Sequence, residues 1–165
     1  MLTSDRLFVM PPLEFFSSER FHYFNEYPTY GYYNYLRPGV VQPMKRHRFE
    51  VALRLAEPWF HSSNAIDFGC ADGVLLPSLS RHFDEVVGID TNAHQVEVAQ
   101  ELCQALELHN MQVVRNSGKT VQESGEALKG KQYGVAFLLR RWSTSASSPT
   151  STSRRCGCWT ACWDY

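Results

Sequence analysis

The spacing of hydrophobic residues predicts alternating helices and strands through the middle of the chain. Residues 43–60 carry apolar side chains on one helical stripe with charged side chains opposite, which indicates an amphipathic helix. The stripe consists of Phe49, Leu53, Ala56 and Phe60. Downstream, strand-like and helix-like segments alternate, a pattern typical of a parallel sheet covered by helices. The predicted strands are 65–68, 85–90, 111–116 and 133–139; the predicted helices are 74–83 and 91–110, with a weak helix or loop at 119–130.

Two local signals support the predicted helices. Pro77 lies near the first turn of the helix 74–83, where a proline costs least. Asn92 is positioned as an N-cap with Gln95 three residues later, and apolar residues follow at helical spacing. We therefore expect a chain that crosses between the strands through ordered helices.

Both ends of the chain depart from this alternation. Residues 1–42 are crowded with aromatic side chains and interrupted by prolines and glycines, so we expect an aromatic-rich cap of short helical pieces that pack on the core. The functional alternative is a lid that excludes water and shapes an acceptor pocket. Residues 140–165 contain no Ile, Leu, Val or Met, and we expect a low-complexity, disordered tail. An out-of-frame translation after residue 139 would produce such a tail, and resequencing the gene tests this hypothesis.

Composition excludes some classes of function. The chain has 16 basic and 17 acidic residues, so no global basic field draws it to nucleic acid or to an anionic membrane. No apolar run has the length of a membrane span, and we expect a cytoplasmic protein of unpredicted oligomeric state. The run KRHR at 45–48 is interpreted as a solvated helix face, with a phosphate-bearing acceptor as the alternative. The tail cysteines Cys156, Cys158 and Cys162 lack a fourth ligand at zinc spacing, so no metal site is predicted.

The stretch AIDFGCADG at 65–73 carries the candidate chemistry. A strand that ends in a glycine turn and opens a helix presents backbone N–H groups and the positive end of a helix dipole. Glycine lets a ligand approach the backbone because it has no Cβ. Gly69, Ala71 and Gly73 follow one another at every second residue, unlike the G-x-G-x-x-G of dinucleotide oxidoreductases or the phosphate-binding P-loop. A dinucleotide oxidoreductase therefore ranks as a distant alternative.

Asp67 followed by this turn resembles motif I of the class I S-adenosylmethionine-dependent methyltransferases, with Ala71 in place of the middle glycine. The resemblance implies that Asp67 orients the methionine moiety and that the turn from Gly69 to Gly73 passes beneath the cofactor's amino acid and ribose. In this family an acid at the end of the second strand accepts hydrogen bonds from the ribose hydroxyls, and Asp90 stands there. The resemblance covers residues 45–139.

Further candidates follow from the same resemblance. Thr91, next to Asp90, is counted with the cofactor site, and Asn116 or Ser117 is the nearest candidate for the adenine. The polar residues within possible reach of an acceptor are His47, His94 and Tyr33, and no general base is assigned. Taken alone, Asp67 has the alternative of a buried carboxylate satisfied by turn N–H groups, and Asp90 that of a helix-capping acid.

The resemblance implies a Rossmann-like α/β core at 43–139 that binds S-adenosylmethionine and transfers its methyl group to an unidentified acceptor, a small molecule or a macromolecule. In the family, strands four to seven supply most of the acceptor site, and this chain changes character after the fourth. The alternative is thus a truncated, inactive relative that at most binds the cofactor.

Overall fold

The computed structural model describes residues 6–21, 29–116, 125 and 128–139. Ser117, most of the weak helix or loop at 119–130, and the tail at 140–165 lie outside the described residues. The predictions made for those segments are therefore not compared with the structure.

Four parallel strands form one sheet in the order β3-β2-β1-β4. They are β1 Asn64–Phe68, β2 Val86–Asp90, β3 Met111–Arg115 and β4 Tyr133–Phe137. This order is that of the first four strands of a doubly wound Rossmann sheet. The strand order reverses between β1 and β4, and ligands of such folds bind at this switch point, beyond the carboxyl ends of the strands. The predicted Rossmann-like parallel sheet with flanking helices is confirmed.

Two central strands are buried almost throughout. The side chains of β2 are buried from Val86 to Ile89, and β1 is buried from Ala65 to Asp67. Because helices cover both faces of a parallel sheet, its inner strands have continuous apolar sequences and not an alternation of apolar and polar residues. This is why the sequence located β1 and β2 to within one residue.

The connections from β1 to β2 and from β2 to β3 contain the helices α3 at Leu76–His82 and α4 at Ala93–Ala105, respectively. Pro77 lies in the first turn of α3, as predicted. The side chain of Asn92 accepts hydrogen bonds from the N–H groups of His94 and Gln95, at 3.0 and 3.3 Å. The predicted N-cap of α4 is therefore confirmed, and the cap determines where this helix begins.

The amphipathic helix α2 extends over Val41–Ala56, and a 3₁₀ turn at Glu57–Trp59 follows it. It ends four residues before the predicted end because Pro58 cannot donate a helical hydrogen bond and restricts the residue before it. Phe49, Leu53 and Ala56 are buried as the stripe predicts. Phe60 instead lies beyond the helix and stacks on the ring of His82, with 4.3 Å between ring centroids.

The described part of the aromatic-rich segment consists of short helical pieces. These are α1 at Leu13–Phe16, a 3₁₀ turn at Glu19–Phe21 and a π-helical turn at Tyr32–Leu36. Phe16, Tyr35 and Leu36 belong to the same buried cluster as residues of the sheet and α2. These three residues of the described part thus pack on the core, as the sequence predicts.

The described residues include no helix with both the length and the apolar character needed to cross a membrane.

Candidate functional site

A cavity of about 490 Å³ lies at the carboxyl ends of β1 and β2. Its walls are the turn at 67–72, the end of β2, the start of the segment leading into α3, and Leu138 and Leu139 after β4. Aromatic rings of the amino-terminal segment and of α2 line another side. The volume lies within the range of small-molecule and cofactor sites.

Three alternate residues of the glycine turn adopt positive φ angles. The values are +78° at Gly69, +50° at Ala71 and +87° at Gly73. The N–H of Gly69 donates to the carbonyl of Ile89 at 2.7 Å, which fixes the turn against β2. Side chains with a Cβ enter this left-handed region only at a cost, so the every-second-residue spacing has a conformational cause. At position 71 the alanine has this conformational cost, which a glycine would avoid.

Gly69 and Gly73 have different surroundings. A Cβ on Gly69 would meet no heavy atom within 4 Å, and this residue lines the cavity. A Cβ on Gly73 would stand 3.0 Å from Leu76 Cδ1 and 3.2 Å from the Cβ of Ala99 on α4. Gly73 does not line the cavity and instead lets α4 pack closely on the turn. Space for a ligand against the backbone therefore exists at Gly69, the first glycine.

The carboxylate of Asp90 joins the turn to α4. Its Oδ2 accepts the N–H of Ala71 and its Oδ1 accepts the N–H of Asn92, both at 2.9 Å. The structure thus brings the end of β2 beside the glycine turn, as the spacing of the two motifs predicts. The cap of α4 is made by the side chain of Asn92, so Asp90 takes part in the alternative helix-capping role only through its bond with the N–H of that cap residue. A carboxylate has about four lone-pair sites, so these two bonds leave acceptor capacity toward the cavity.

Two further carboxylates are buried at this cavity. Burial, with the negative charge of Asp90 added, raises the pKa of Asp67 to about 7, and the charge of Arg48 opposes the rise. Among the described residues no donor hydrogen-bonds to Asp67, so the alternative of a carboxylate satisfied by turn N–H groups is wrong. Burial likewise raises the pKa of Asp72 to about 6, opposed chiefly by the N–H of Gly31.

Asp72 is a site residue that the sequence reasoning missed. Its Oδ2 accepts the N–H of Gly31, and its Oδ1 is buried without a hydrogen-bond partner in the described part of the chain. Gly31 approaches so closely that a Cβ there would stand 2.2 Å from Val74 Cγ2. The carboxylate therefore attaches the amino-terminal segment to the glycine turn. The available signal was an acid inside an otherwise apolar stretch, ADGVLL.

The interpretation of residues 45–48 as a solvated helix face is wrong for most of the run. Lys45 Nζ donates to Asn34 Oδ1 at 3.3 Å, and Arg46 donates to the carbonyl of Tyr35. Arg48 lines the cavity, and its Nη2 donates to the hydroxyl of Tyr35. His47 alone in this run is exposed. The π-helical turn packs on α2 here and supplies the acceptors that draw these cations inward.

Thr91 and Asn116, the remaining candidates among the described residues, do not line the cavity. Thr91 is exposed, and its carbonyl accepts a bond from Arg115 Nε at 3.4 Å. The N–H of Asn116 donates to the carbonyl of Asp90 at 2.8 Å, which keeps Asn116 at the same sheet edge but outside the lining.

The structure also places the three possible acceptor-site residues away from the cavity lining. His47 is exposed, and His94 Nε2 lies 3.3 Å from the carbonyl of Phe21. The guanidinium of Arg37 covers the ring of Tyr33 at 4.1 Å. Within the described ranges, no group of three or more His, Cys, Asp or Glu residues could hold a metal ion.

A comparison with protein families decides the lineage. Residues 65–135 match the family model described as "Methyltransferase domain". This segment, less than half of the chain, is similar to methyltransferase domains. The match begins in β1 and ends in β4, so the matched segment contains the whole glycine turn and Asp90.

Solved structures similar to this chain share little sequence with it. They include YcgJ from Bacillus subtilis, with 21% identity over 46% of this chain and 32% of that chain and a TM-score of 0.42. A SAM-dependent methyltransferase from Aquifex aeolicus has 23% identity over 41% of this chain and 46% of that chain, with a TM-score of 0.33. The Trypanosoma brucei PRMT1 enzyme-prozyme complex with AdoHcy has 18% identity over 59% and 29%, with a TM-score of 0.49.

The chain thus spans less than half the length of each of these three proteins. No curated protein matches it.

Proposed function

We propose that the cavity binds S-adenosylmethionine and that the protein transfers its methyl group to an acceptor. The observation that carries this proposal is the 2.9 Å bond between Ala71 N–H and Asp90 Oδ2, beside the open face of Gly69. It joins a backbone surface without side chains to a carboxylate with spare acceptor capacity. An adenosine attached to an amino acid needs the open backbone surface for its close approach and the carboxylate to accept hydrogen bonds from its hydroxyl groups.

The proposed roles of the cavity residues follow from their surroundings. Asp90 accepts hydrogen bonds from the ribose hydroxyls, and Asp67, which has no protein donor in the described residues, receives the ammonium of the methionine moiety. Gly69 gives the backbone room for the cofactor. Thr91, Asn116 and Ser117 stay predictions for the adenosine end, and Gly73 supports the site through its packing on α4.

When bound, S-adenosylmethionine supplies a methyl group on a sulfonium, and little chemistry is left to the protein beyond orientation and exclusion of water. Tyr30, Tyr35 and Phe49 cover one side of the cavity. We propose that these rings exclude water from the site, the lid function that was the alternative for the aromatic segment at 1–42. The division into this cap, a core at 43–139 and a tail at 140–165 remains a proposal, as does a cytoplasmic location.

Calorimetric titration with S-adenosylhomocysteine tests the cofactor proposal. The wild-type protein is expected to bind it, and Asp90→Ala is expected to lower the affinity at least about tenfold, because charged acceptors contribute about 1.5–3 kcal/mol each. The control is Asp84→Ala, which removes an exposed acid between α3 and β2. Asp90→Asn keeps one acceptor oxygen, so it separates loss of the fold from loss of the carboxylate.

Two results would contradict the cofactor proposal: no binding by the wild-type protein, or equal binding by wild type and Asp90→Ala. Titration with NADH, followed by its fluorescence, addresses the dinucleotide alternative.

A second candidate is a cofactor-binding protein without turnover. In the described residues β4 pairs only with β1, and the chain spans less than half the length of the similar proteins. Binding of S-adenosylhomocysteine without transfer of a labelled methyl group to any acceptor in a cell extract would favour this candidate. Labelled product would exclude it.

A further inference from the structure

The solvent-facing side of α2 carries a second apolar stripe, separate from the one that packs on the core. Its members, which we call the outer stripe, are Val40, Met44, Val51 and Leu55, with exposed fractions of 88, 75, 38 and 47%. At 3.6 residues per turn these positions fall within about 60° of one another, nearly opposite the buried stripe. Val40 precedes the helix, but its φ and ψ angles of −78° and −24° are helical, so it continues the outer stripe.

The cations of α2 are engaged within the protein. Lys45, Arg46 and Arg48 donate hydrogen bonds to the π-helical turn. Arg54 pairs with Glu50 at 3.0 Å. A helix that lies on a membrane surface directs Lys and Arg beside its apolar face toward anionic headgroups. The surroundings of the outer stripe therefore favour a protein surface over a lipid surface as its partner.

The spacing of the outer stripe is the same in both directions along the helix. Successive members are separated by four, seven and four residues. A second α2 that lies antiparallel, related by a twofold axis at the middle of the stripe, therefore places Val40 opposite Leu55 and Met44 opposite Val51. A symmetric dimer needs this property, because the same surface must fit itself. An unrelated partner does not need it, so the spacing favours a second copy of the chain.

The area of the outer stripe suits a dimer of moderate affinity. Together with the neighbouring Val41, which is 50% exposed, it offers roughly 500 Å² of surface per copy. Apolar patches of about this size on a single chain often have a function. Polar residues around the stripe bring the contact toward the about 800 Å² per partner of a standard interface. We therefore expect a dissociation constant of about 1–100 µM, as for other interfaces at the small end of the range.

We propose that two copies of the protein associate through the outer stripes of their α2 helices, packed antiparallel about a twofold axis. The inference does not depend on the cofactor proposal, since no member of the outer stripe lines the cavity. Helix α2 thereby serves the fold with one face and the association with the other.

Sedimentation velocity of the full chain at about 1–200 µM tests the association. A reducing agent is present because the chain has five cysteines, which could otherwise link copies through disulfides. The wild-type protein is expected to change from monomer to dimer as its concentration rises. A wild type that stays monomeric throughout would overturn the inference. Its co-sedimentation with phosphatidylcholine and phosphatidylserine vesicles would then assign the outer stripe to a lipid surface.

Charge substitutions test the contact and its direction. Met44→Glu and Val51→Lys are each expected to raise the dissociation constant at least about tenfold, because each places an unpaired charge in the contact. In an equimolar mixture of the two variants the new carboxylate faces the new ammonium, so a heterodimer within about threefold of the wild-type affinity is expected. Met10→Glu is the matched control, because Met10 is 50% exposed but lies outside α2.

The remaining outcomes each contradict the inference. If Met44→Glu dimerises as tightly as the wild type, the contact lies elsewhere. If both single variants are monomeric and their mixture is monomeric too, the antiparallel pairing is wrong. Circular dichroism shows whether each variant is folded, and Val40→Glu mixed with Leu55→Lys gives the same test if one of the first pair is not.

Discussion

Alanine substitutions at the two outer glycines of the turn separate backbone conformation from packing. Gly69 and Gly73 both have positive φ, at +78° and +87°, so alanine at either position costs about 1–2 kcal/mol of backbone strain. At Gly69 nothing further is lost from the fold, because the new Cβ would stand in open space. Gly69→Ala is therefore expected to lower the free energy of unfolding by about 1–2 kcal/mol.

At Gly73 a second cost is added. The new Cβ would stand 3.0 Å from Leu76 Cδ1, 3.2 Å from Ala99 Cβ and 3.4 Å from Ala99 Cα, which belongs to the backbone of α4. Leu76 can turn aside, but α4 must shift as a whole. Overpacking of this kind costs about 1–3 kcal/mol, so Gly73→Ala is expected to lose roughly 2–5 kcal/mol in total.

Urea unfolding followed by circular dichroism measures both free energies, and an unchanged m-value would show that the transition itself is the same. Titration with S-adenosylhomocysteine gives the second readout. Gly69→Ala is expected to lose ligand affinity out of proportion to its stability, because its Cβ enters the cavity. If both variants lose equal stability to within about 0.5 kcal/mol, the contact of Gly73 with α4 is not tight and the reasoning fails.

Three other substitutions give independent tests. Asp67→Asn is expected to stabilise the protein at pH 8 but not at pH 4. Between about pH 4 and 7, where 7 is about the pKa of Asp67 in the folded protein, the folded wild type keeps a proton on Asp67 that the unfolded chain releases. The free energy of unfolding of the wild type therefore falls by up to about 1.4 kcal/mol per pH unit across that range. A difference between variant and wild type that does not change with pH would contradict this. Ala71→Gly removes the strain of φ +50° and is expected to raise the unfolding free energy by roughly 0.5–1 kcal/mol, measured in urea; a loss of stability would show that Ala71 is not strained. Asn92→Ala removes the cap of α4 and is expected to lower the melting temperature through a loss of about 1 kcal/mol, with Asn92→Ser as the control that restores it; an unchanged melting temperature in the alanine variant would mean that the cap does not stabilise α4.

The sequence located the sheet well because its signals are local. The runs at β1 and β2 are apolar without alternation, the cap at Asn92 shows where α4 begins, and Pro58 explains the early end of α2. The π-helical turn at Tyr32–Leu36 could not be predicted in this way. Its conformation accompanies contacts with distant residues, among them the bonds of Arg46 to Tyr35 and of Asp72 to Gly31.

Only those residues of the candidate site that belong to the two spaced motifs, the glycine turn and the acid at the end of β2, could be predicted from the sequence. Asp67, Gly69, Ala71 and Asp90 line one cavity because the turn and the end of β2 are adjacent in any parallel sheet of this order. Gly73 was assigned to the ligand, although its absence of a Cβ serves the packing of α4. Arg48 escaped prediction because a run of four charged residues does not reveal which side chain the tertiary fold draws inward.

The approach of Gly31 to Val74 limits how this sequence can change. A Cβ at position 31 would stand 2.2 Å from Val74 Cγ2, so an alanine there needs a smaller residue at position 74 or a displaced amino-terminal segment. Side chains at the two positions, which lie 43 residues apart in the sequence, therefore compete for the same space. Residues in such contact are expected to vary together during evolution, so a homologue with a side chain at position 31 is expected to carry alanine or glycine at position 74.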